Sequence, residues 1–247
     1  MKDILQDIVA HTHSLGFLSL VKVTSENGST TIDSMAEDRS VILTSATHKA
    51  VSEFTGTFGM PNLDKLALHL KNPEYKDNAK IEVVSADRNG ETIPTHIHFE
   101  NAAGDFENDY RFMNKAIIEE KLKTVKFKGA SWDVQFKPSM AAIQRMKLMS
   151  TAHSEEPIFT VKTEVTGGVT DLVFYFGDAS THAGKFVFQN NVTGSLKHAW
   201  SWPVAQVQSI LNLDGEATVS ISDHGAMMIS VDSGLAKYDY ILPAQSK

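Results

Sequence analysis

The sequence predicts an α+β chain made of two tandem β-rich domains, each with two short helices and antiparallel sheets. Short alternating segments bounded by Gly, Asn and Asp turns point to hairpins and meanders. Four segments with apolar residues at helical spacing point to short amphipathic helices. The same order of elements, helix, strands, helix, strands, recurs at an offset of roughly 130 to 140 residues, which indicates an internal duplication.

In the first half, Ile4, Leu5, Ile8, Thr12 and Leu15 trace one helical face, with Asp3 in the first turn and Gly16 as the stop. Phe17 to Val23, the turn Glu26-Asn27-Gly28-Ser29 and Thr30 to Ala36 read as a hairpin, and Ser40 to Thr44 and Phe54 to Phe58 as further strands. After Pro61-Asn62, the spacing of Leu63, Leu66, Ala67 and Leu70 makes a second helix. Lys80 to Ala86, Thr92 to Glu100 and Tyr110 to Met113 complete the half as strands.

The second half opens with a strand at Trp132 to Lys137, and Pro138-Ser139 starts a helix running from Met140 to Ala152. Ala142, Ile143, Met146 and Met149 form its apolar stripe, which leaves Leu148 out of place. Strands follow at Ile158 to Glu164, Leu172 to Phe176 and Lys185 to Gln189. Trp202-Pro203 introduces a helix with Val204, Val207, Ile210 and Leu211 on one face, and Ala217 to Ser222, Met227 to Val231 and Tyr238 to Leu242 close the chain as a meander. The expected organisation is a first domain over 1–115, a connector over 116–131 and a second domain over 132–247. The connector is marked by rising charge density and a loosened strand pattern, part of which also reads as another strand.

Composition narrows the function classes. The 247 residues contain no cysteine, so a disulfide framework, a cysteine nucleophile and thiolate zinc sites are excluded. Reduced-compartment chemistry fits a cytoplasmic protein. The N-terminal segment carries acids where a secretory signal needs bases, and no apolar run reaches membrane-span length, so no membrane partner is expected. Lys+Arg total 23 against 30 Asp+Glu, a net charge of -7, which argues against coating nucleic acid by bulk charge and leaves room for a local basic surface.

Two histidine pairs suggest metals. His11-Thr12-His13 resembles the opening strand of a metal-dependent hydrolase barrel, but on a helix positions i and i+2 diverge by roughly 200° and cannot share an ion. His96-Ile97-His98 is the better geometry, since alternate strand residues share a face, with Glu100 on the same side as the only evident third ligand. A solvent-facing strand side accounts for this pair more simply, so no metal and no catalytic residue is assigned. A third reading is a β-rich, phage-like structural or assembly protein, which explains strand content and acidity but not the recurrence of two helices in each half.

The helix at Leu63 to Leu70 followed by Lys80-Ile81-Glu82-Val83, its echo at Val204 to Leu211 followed by Ala217 to Ile221, and the terminal meander leading to Leu242-Pro243-Ala244 carry a family resemblance. The chain resembles the DNA polymerase sliding clamps, in particular the two-domain clamps of T-even-like phages and the proliferating cell nuclear antigen family. The resemblance implies a homotrimeric ring of clamp domains around double-stranded DNA, held without base readout, that gives a replicative DNA polymerase processivity and is opened by a clamp loader. It implies no cofactor and no enzyme activity. The DNA-facing residues it implies are Lys2, Lys65, His69, Lys71, Arg145 and Lys147, which lie on the helices off their apolar stripes. A partner-peptide pocket between connector and tail would take Ile117, Ile118, Leu122, Tyr240, Leu242, Pro243 and Ala244.

Overall fold

A computed structural model describes residues 1–88, 90–123, 129–180 and 182–245. The chain divides into two compact units, Met1–Lys126 with Ser233–Tyr238, and Phe127–Asp232 with Asp239–Lys247.

In the first unit α1 (Lys2–His11) precedes β1 (Val21–Glu26), β2 (Ser29–Met35), β3 (Ile42–Thr47) and β4 (Gly56–Met60). Then come α2 (Leu63–Lys71), the meander β5 (Lys80–Arg88), β6 (Glu91–Glu100), β7 (Glu107–Arg111), and α3 (Lys115–Lys121). Strand order is β4-β1-β2-β3, with β5-β6-β7 as a second sheet, and the described pairings are antiparallel. Alternation decides which face is buried. Val21, Val23, Ile32, Phe58 and Met60 turn inward beneath Leu5, Ile8, Leu63, Leu66 and Leu70 of the two helices. Ile97, Phe99 and Tyr110 add the meander's inner face.

The second unit repeats the plan. It contains β8 (Val134–Phe136), α4 (Met140–Ala152), β9 (Ile158–Thr166), β10 (Val169–Phe176), β11 (Gly184–Gln189) and β12 (Trp200–Pro203). α5 (Val204–Leu211), β13 (Glu216–Ser222), β14 (Ala226–Asp232) and β15 (Ala236–Pro243) follow. The order β12-β9-β10-β11 matches β4-β1-β2-β3, and β15-β14-β13-β8 matches the first meander with β8 added. The duplication extends to register. Val23 sits between Ile32 and Phe58, and Val161 sits between Phe174 and Trp200. An isolated bridge closes the edge of β4 (Gly59 with Met113), and another closes the edge of β12 (Ser201 with Gln245).

The described pairings are all antiparallel, which overturns the reading as a hydrolase barrel, an architecture of parallel strands alternating with long helices. Three local expectations also change. The first helix ends at His11, because the Thr12 hydroxyl turns back to donate to the Ile8 carbonyl at 2.6 Å; a 3-10 turn, His13–Leu15, then leads to Gly16 at φ 85°. Trp202-Pro203 does introduce a helix, at Val204, but the pair also ends a strand that the sequence reading lacks, β12 (Trp200–Pro203). The start of the connector is not a strand but helix α3, started by the Asn114 side chain accepting from the Ile117 N–H at 3.0 Å. The rest of that segment, 124–128, lies outside the described residues.

Close approach of helix to strand depends on two glycines. A Cβ on Gly59 of β4 would lie 2.9 Å from the Ile118 side chain, and one on Gly184 of β11 would lie 2.5 Å from the Met149 methyl on α4. Gly59→Ala should therefore push α3 off β4 and lower stability by about 1–3 kcal/mol in urea unfolding. An unchanged midpoint would show that Ile118 can move aside at no cost.

A buried polar knot fixes α1. The Asp7 carboxylate accepts from the Tyr238 hydroxyl at 2.7 Å and the Ser233 hydroxyl at 3.0 Å. His11 Nδ1 lies 2.9 Å from the Asp7 carbonyl and 3.3 Å from its carboxylate; both neighbours accept, so this nitrogen carries the proton. The His11 ring stacks on Tyr238 at 4.3 Å and 7°. Burial pushes the Asp7 carboxyl up, but the hydrogen bonds from His11, Tyr238 and Ser233, together with the His11 charge, outweigh it and hold the group below the usual 3.8. The resulting stability is present above that ordinary value and is lost as pH falls through the lower folded value. Asp7→Asn should cost about 1–3 kcal/mol at pH 7. The difference from the parent protein should shrink on strong acidification, and an equal difference at both pH values would contradict this account.

Candidate nucleic-acid interface

Four helices carry the expected interface. Within the first unit α1 packs on α2, and within the second α4 packs on α5, where the Ser150 hydroxyl donates to Gln208 Oε1 at 2.9 Å. Each helix is short, so one stripe faces the sheet and the other stays in water. On α2 the stripe is Leu63, Leu66, Ala67 and Leu70; on α4 it is Ala142, Ile143 and Met146, with the Ser139 hydroxyl capping the Ala142 N–H at 3.1 Å.

Lys65 and Lys71 on α2, and Arg145 and Lys147 on α4, are exposed. Among the described residues none of these four enters an ion pair, whereas Lys22, Lys80 and Lys185 on strands, and Lys137 just past β8, are each paired with a carboxylate. α4 contains no acidic residue and α5 no charged residue at all. A chain with net charge -7 thus keeps unneutralised cations on its helices.

Two expected members of this set behave otherwise. Lys2 is half-buried and its Nζ donates to the Tyr75 carbonyl at 2.7 Å, which anchors the ammonium inside the first unit. His69 does not face outward as a cation. Its ring stacks on Phe99 at 5.1 Å, and burial, with the Lys65 charge second, pulls its pKa below 6.5. It is neutral at pH 7. The NMR titration of the His69 ring should have its midpoint below 6.5, and a midpoint above that value would return His69 to the cationic set.

The residues expected in a partner pocket differ in accessibility. On α3, Ile117 is 43% exposed, but Ile118 is buried against Gly59 and Leu122 is buried just beyond the helix. In the tail, Tyr240 and Leu242 are fully buried, Pro243 is exposed and Ala244 is half-buried. Tyr240 and Leu242 are therefore not open to a partner peptide as the expected pocket requires. Strand alternation in the tail points Tyr238, Tyr240 and Leu242 into protein, and the Trp202 indole donates to the Leu242 carbonyl at 3.0 Å. The sequence does not reveal a surface cleft of about 700 Å³ in the first unit, lined by Leu20, Met35, Arg39, Pro61, Leu63 and Leu122 among others. Of its lining, Leu63 is marked in the sequence as part of the α2 stripe and Leu122 as part of the expected pocket; most of the rest comes from strand ends and turns far apart in the chain.

His96 and His98 do share the outer face of β6, joined there by residues of β7 that spacing alone does not bring in. Asp109 lies 3.5 Å from His96 Nε2 and 3.0 Å from His98 Nδ1, and Arg111 pairs with Asp109 at 3.2 Å. This is a network of ion pairs and hydrogen bonds. No group of three or more His, Asp or Glu among the described residues is placed to hold a metal ion.

No family model matches the sequence, and no curated protein matches it. Solved structures do match the fold. A. fulgidus PCNA, in a structure with the C-terminal region of FEN-1 bound, superposes over 100% of this chain and 95% of its own, with TM-score 0.67 at 11% identity. The fold is that of a PCNA-type sliding clamp. PCNA from Thermococcus kodakaraensis matches over 99% of this chain and 97% of its own, again with TM-score 0.67 and 11% identity. PCNA from Entamoeba histolytica matches over 99% and 94%, with TM-score 0.65 and 10% identity. The PCNA-type fold thus spans the chain, with a sequence far removed from these structures. Among the described residues no helix is long and apolar enough to cross a membrane.

Proposed function

We propose that this protein is a DNA sliding clamp: a closed ring of copies that encircles duplex DNA and tethers a replicative polymerase, with no catalytic chemistry of its own. The observation that carries this reading is the set of exposed, unpaired cations Lys65, Lys71, Arg145 and Lys147 on the helices of a PCNA-type fold whose net charge is acidic. A ring holds DNA by topology, so it needs only solvent-softened phosphate attraction, and Lys and Arg side chains on short helices supply that without base readout. Acidity elsewhere keeps the outer body off the polyanion.

In this reading the ring is a homotrimer closed head to tail through sheet edges. β7 pairs only with β6 and β11 only with β10 among the described strands, and such open edges invite pairing with another copy. A clamp loader of the host cytoplasm opens the ring, and the type is that of the two-domain phage clamps. Partner proteins bring a short peptide, as FEN-1 does to A. fulgidus PCNA. With Tyr240 and Leu242 buried, the anchoring surface for it is the cleft of the first unit, whose wall includes Leu20, Met35, Arg39 and Pro61.

Two measurements test the proposal. Light scattering at micromolar concentration should give a trimer of roughly 80 kDa; open-ended growth would instead favour a structural assembly protein. Replacing Lys65, Lys71, Arg145 and Lys147 together by alanine should leave the circular dichroism spectrum unchanged and make DNA binding less dependent on salt, the log-log slope falling by about 0.9 for each phosphate no longer neutralised. An unchanged slope would mean that these helices do not face DNA.

A further inference from the structure

Leu148 breaks the apolar stripe of its helix, and the structure places it in water at 70% exposure; Leu68 on α2 stands at 68%. Isolated exposed leucines are ordinary. These two are distinguished by their setting. They lie on the two helices that carry the unpaired cations, and in the same arrangement. At 100° per residue, Lys65 and Arg145, each three positions earlier, fall about 60° to one side of their leucine. Lys71 falls about 60° to the other side of Leu68, and Lys147 about 100° to the other side of Leu148. Each leucine is therefore the apolar centre of an exposed helix face with a cation on both flanks. Asp64, the one acidic residue on α2, is exposed and falls about 40° from Leu68 on the Lys71 side, so the cations outnumber a single carboxylate there; α4 has no acid.

We propose that Leu68 and Leu148 contact DNA directly, resting against deoxyribose edges between the phosphates that the flanking cations engage. The inference rests on the clamp reading above. The flanking charge selects the occupant: a polyanion with apolar surface between its charges fits a leucine bracketed by cations, whereas an apolar protein helix would leave those cations desolvated and unpaired. Sugar C–H surfaces are the same at every base pair, so such contacts are blind to sequence and do not pin the ring to a site. They release no counterion, so their contribution does not depend on salt as the lysine and arginine contributions do.

The test is binding of the full-length protein to a fluorescently labelled duplex, followed by anisotropy across a series of KCl concentrations. Leu68→Ser with Leu148→Ser should weaken binding about threefold at every salt concentration and leave the slope of log K against log salt unchanged. The four-cation alanine variant should flatten that slope. If the leucine variant binds like the parent while the cation variant flattens the slope, the leucine inference is overturned and the clamp reading stands. If neither variant changes binding, the DNA-facing assignment of the helices fails with it. A smaller mass for the leucine variant in light scattering would also overturn the inference, because it would make these residues part of an interface between copies.

Discussion

The Asp7 carboxylate ties the first helix to a segment more than two hundred residues away. A lone buried carboxylate is strongly unfavourable, and this one persists because Tyr238, Ser233 and His11 surround it with donors. The consequence is architectural. Ser233–Tyr238, which runs into the first residues of the last strand, belongs to the first compact unit, so that unit is complete only when residue 238 is in place. The helix so anchored packs on α2, whose outer face carries Lys65, Leu68 and Lys71.

The distribution of charge follows from the geometry of short helices. Each has room for one buried stripe of three or four residues, and everything else must face water. On the sheets several cations sit beside carboxylates, Lys22 opposite Asp33 across two strands and Lys80 beside Glu82 on one, and their fields cancel locally. The exposed faces of α2 and α4 lack such partners, so a protein of negative net charge retains localised positive surface. Bulk composition hides this; only the assignment of residues to faces brings it out.

Helices announced by a nearby proline and apolar spacing are legible in the sequence almost to the residue. Met140–Ala152 follows Pro138 and the Ser139 cap, and Val204–Leu211 follows Pro203 directly. α3 is hidden because only Ile118 and Leu122 are buried among charged neighbours, and its place depends on Gly59 being bare, a fact of the third dimension. His69 illustrates the same limit: its spacing puts it off the stripe, but Phe99, thirty residues later, reaches out to cover it. The tail reads as part of a partner pocket because the apolar run Tyr240 to Ala244 has no evident cover in the sequence, and nothing local announces that Trp202 holds the Leu242 carbonyl. At the interface the cations are readable from helical phase, while the cleft beside Leu122 is not, since helix ends, strand ends and turns with no shared pattern assemble it.

The two halves share a strand order and even the pairing of Val23 and Val161 with their neighbours, yet they fill that plan with different side chains. In the first, β1 to β4 pack Val21, Val23, Ile32 and Met60 around a single strand phenylalanine, Phe58. The second stacks Phe159, Phe174, Phe176 and Phe188, with Phe174 and Phe188 at 4.2 Å and 6°, against the fully buried Trp202. Identical tandem domains risk exchanging strands while they fold, because each offers the other a matching partner. Here a strand of one half placed in the other would leave a void the size of an aromatic side chain or force a phenylalanine into space shaped for valine. Divergence of the two cores thus protects folding fidelity, keeping a duplicated chain from assembling its own halves in the wrong combination.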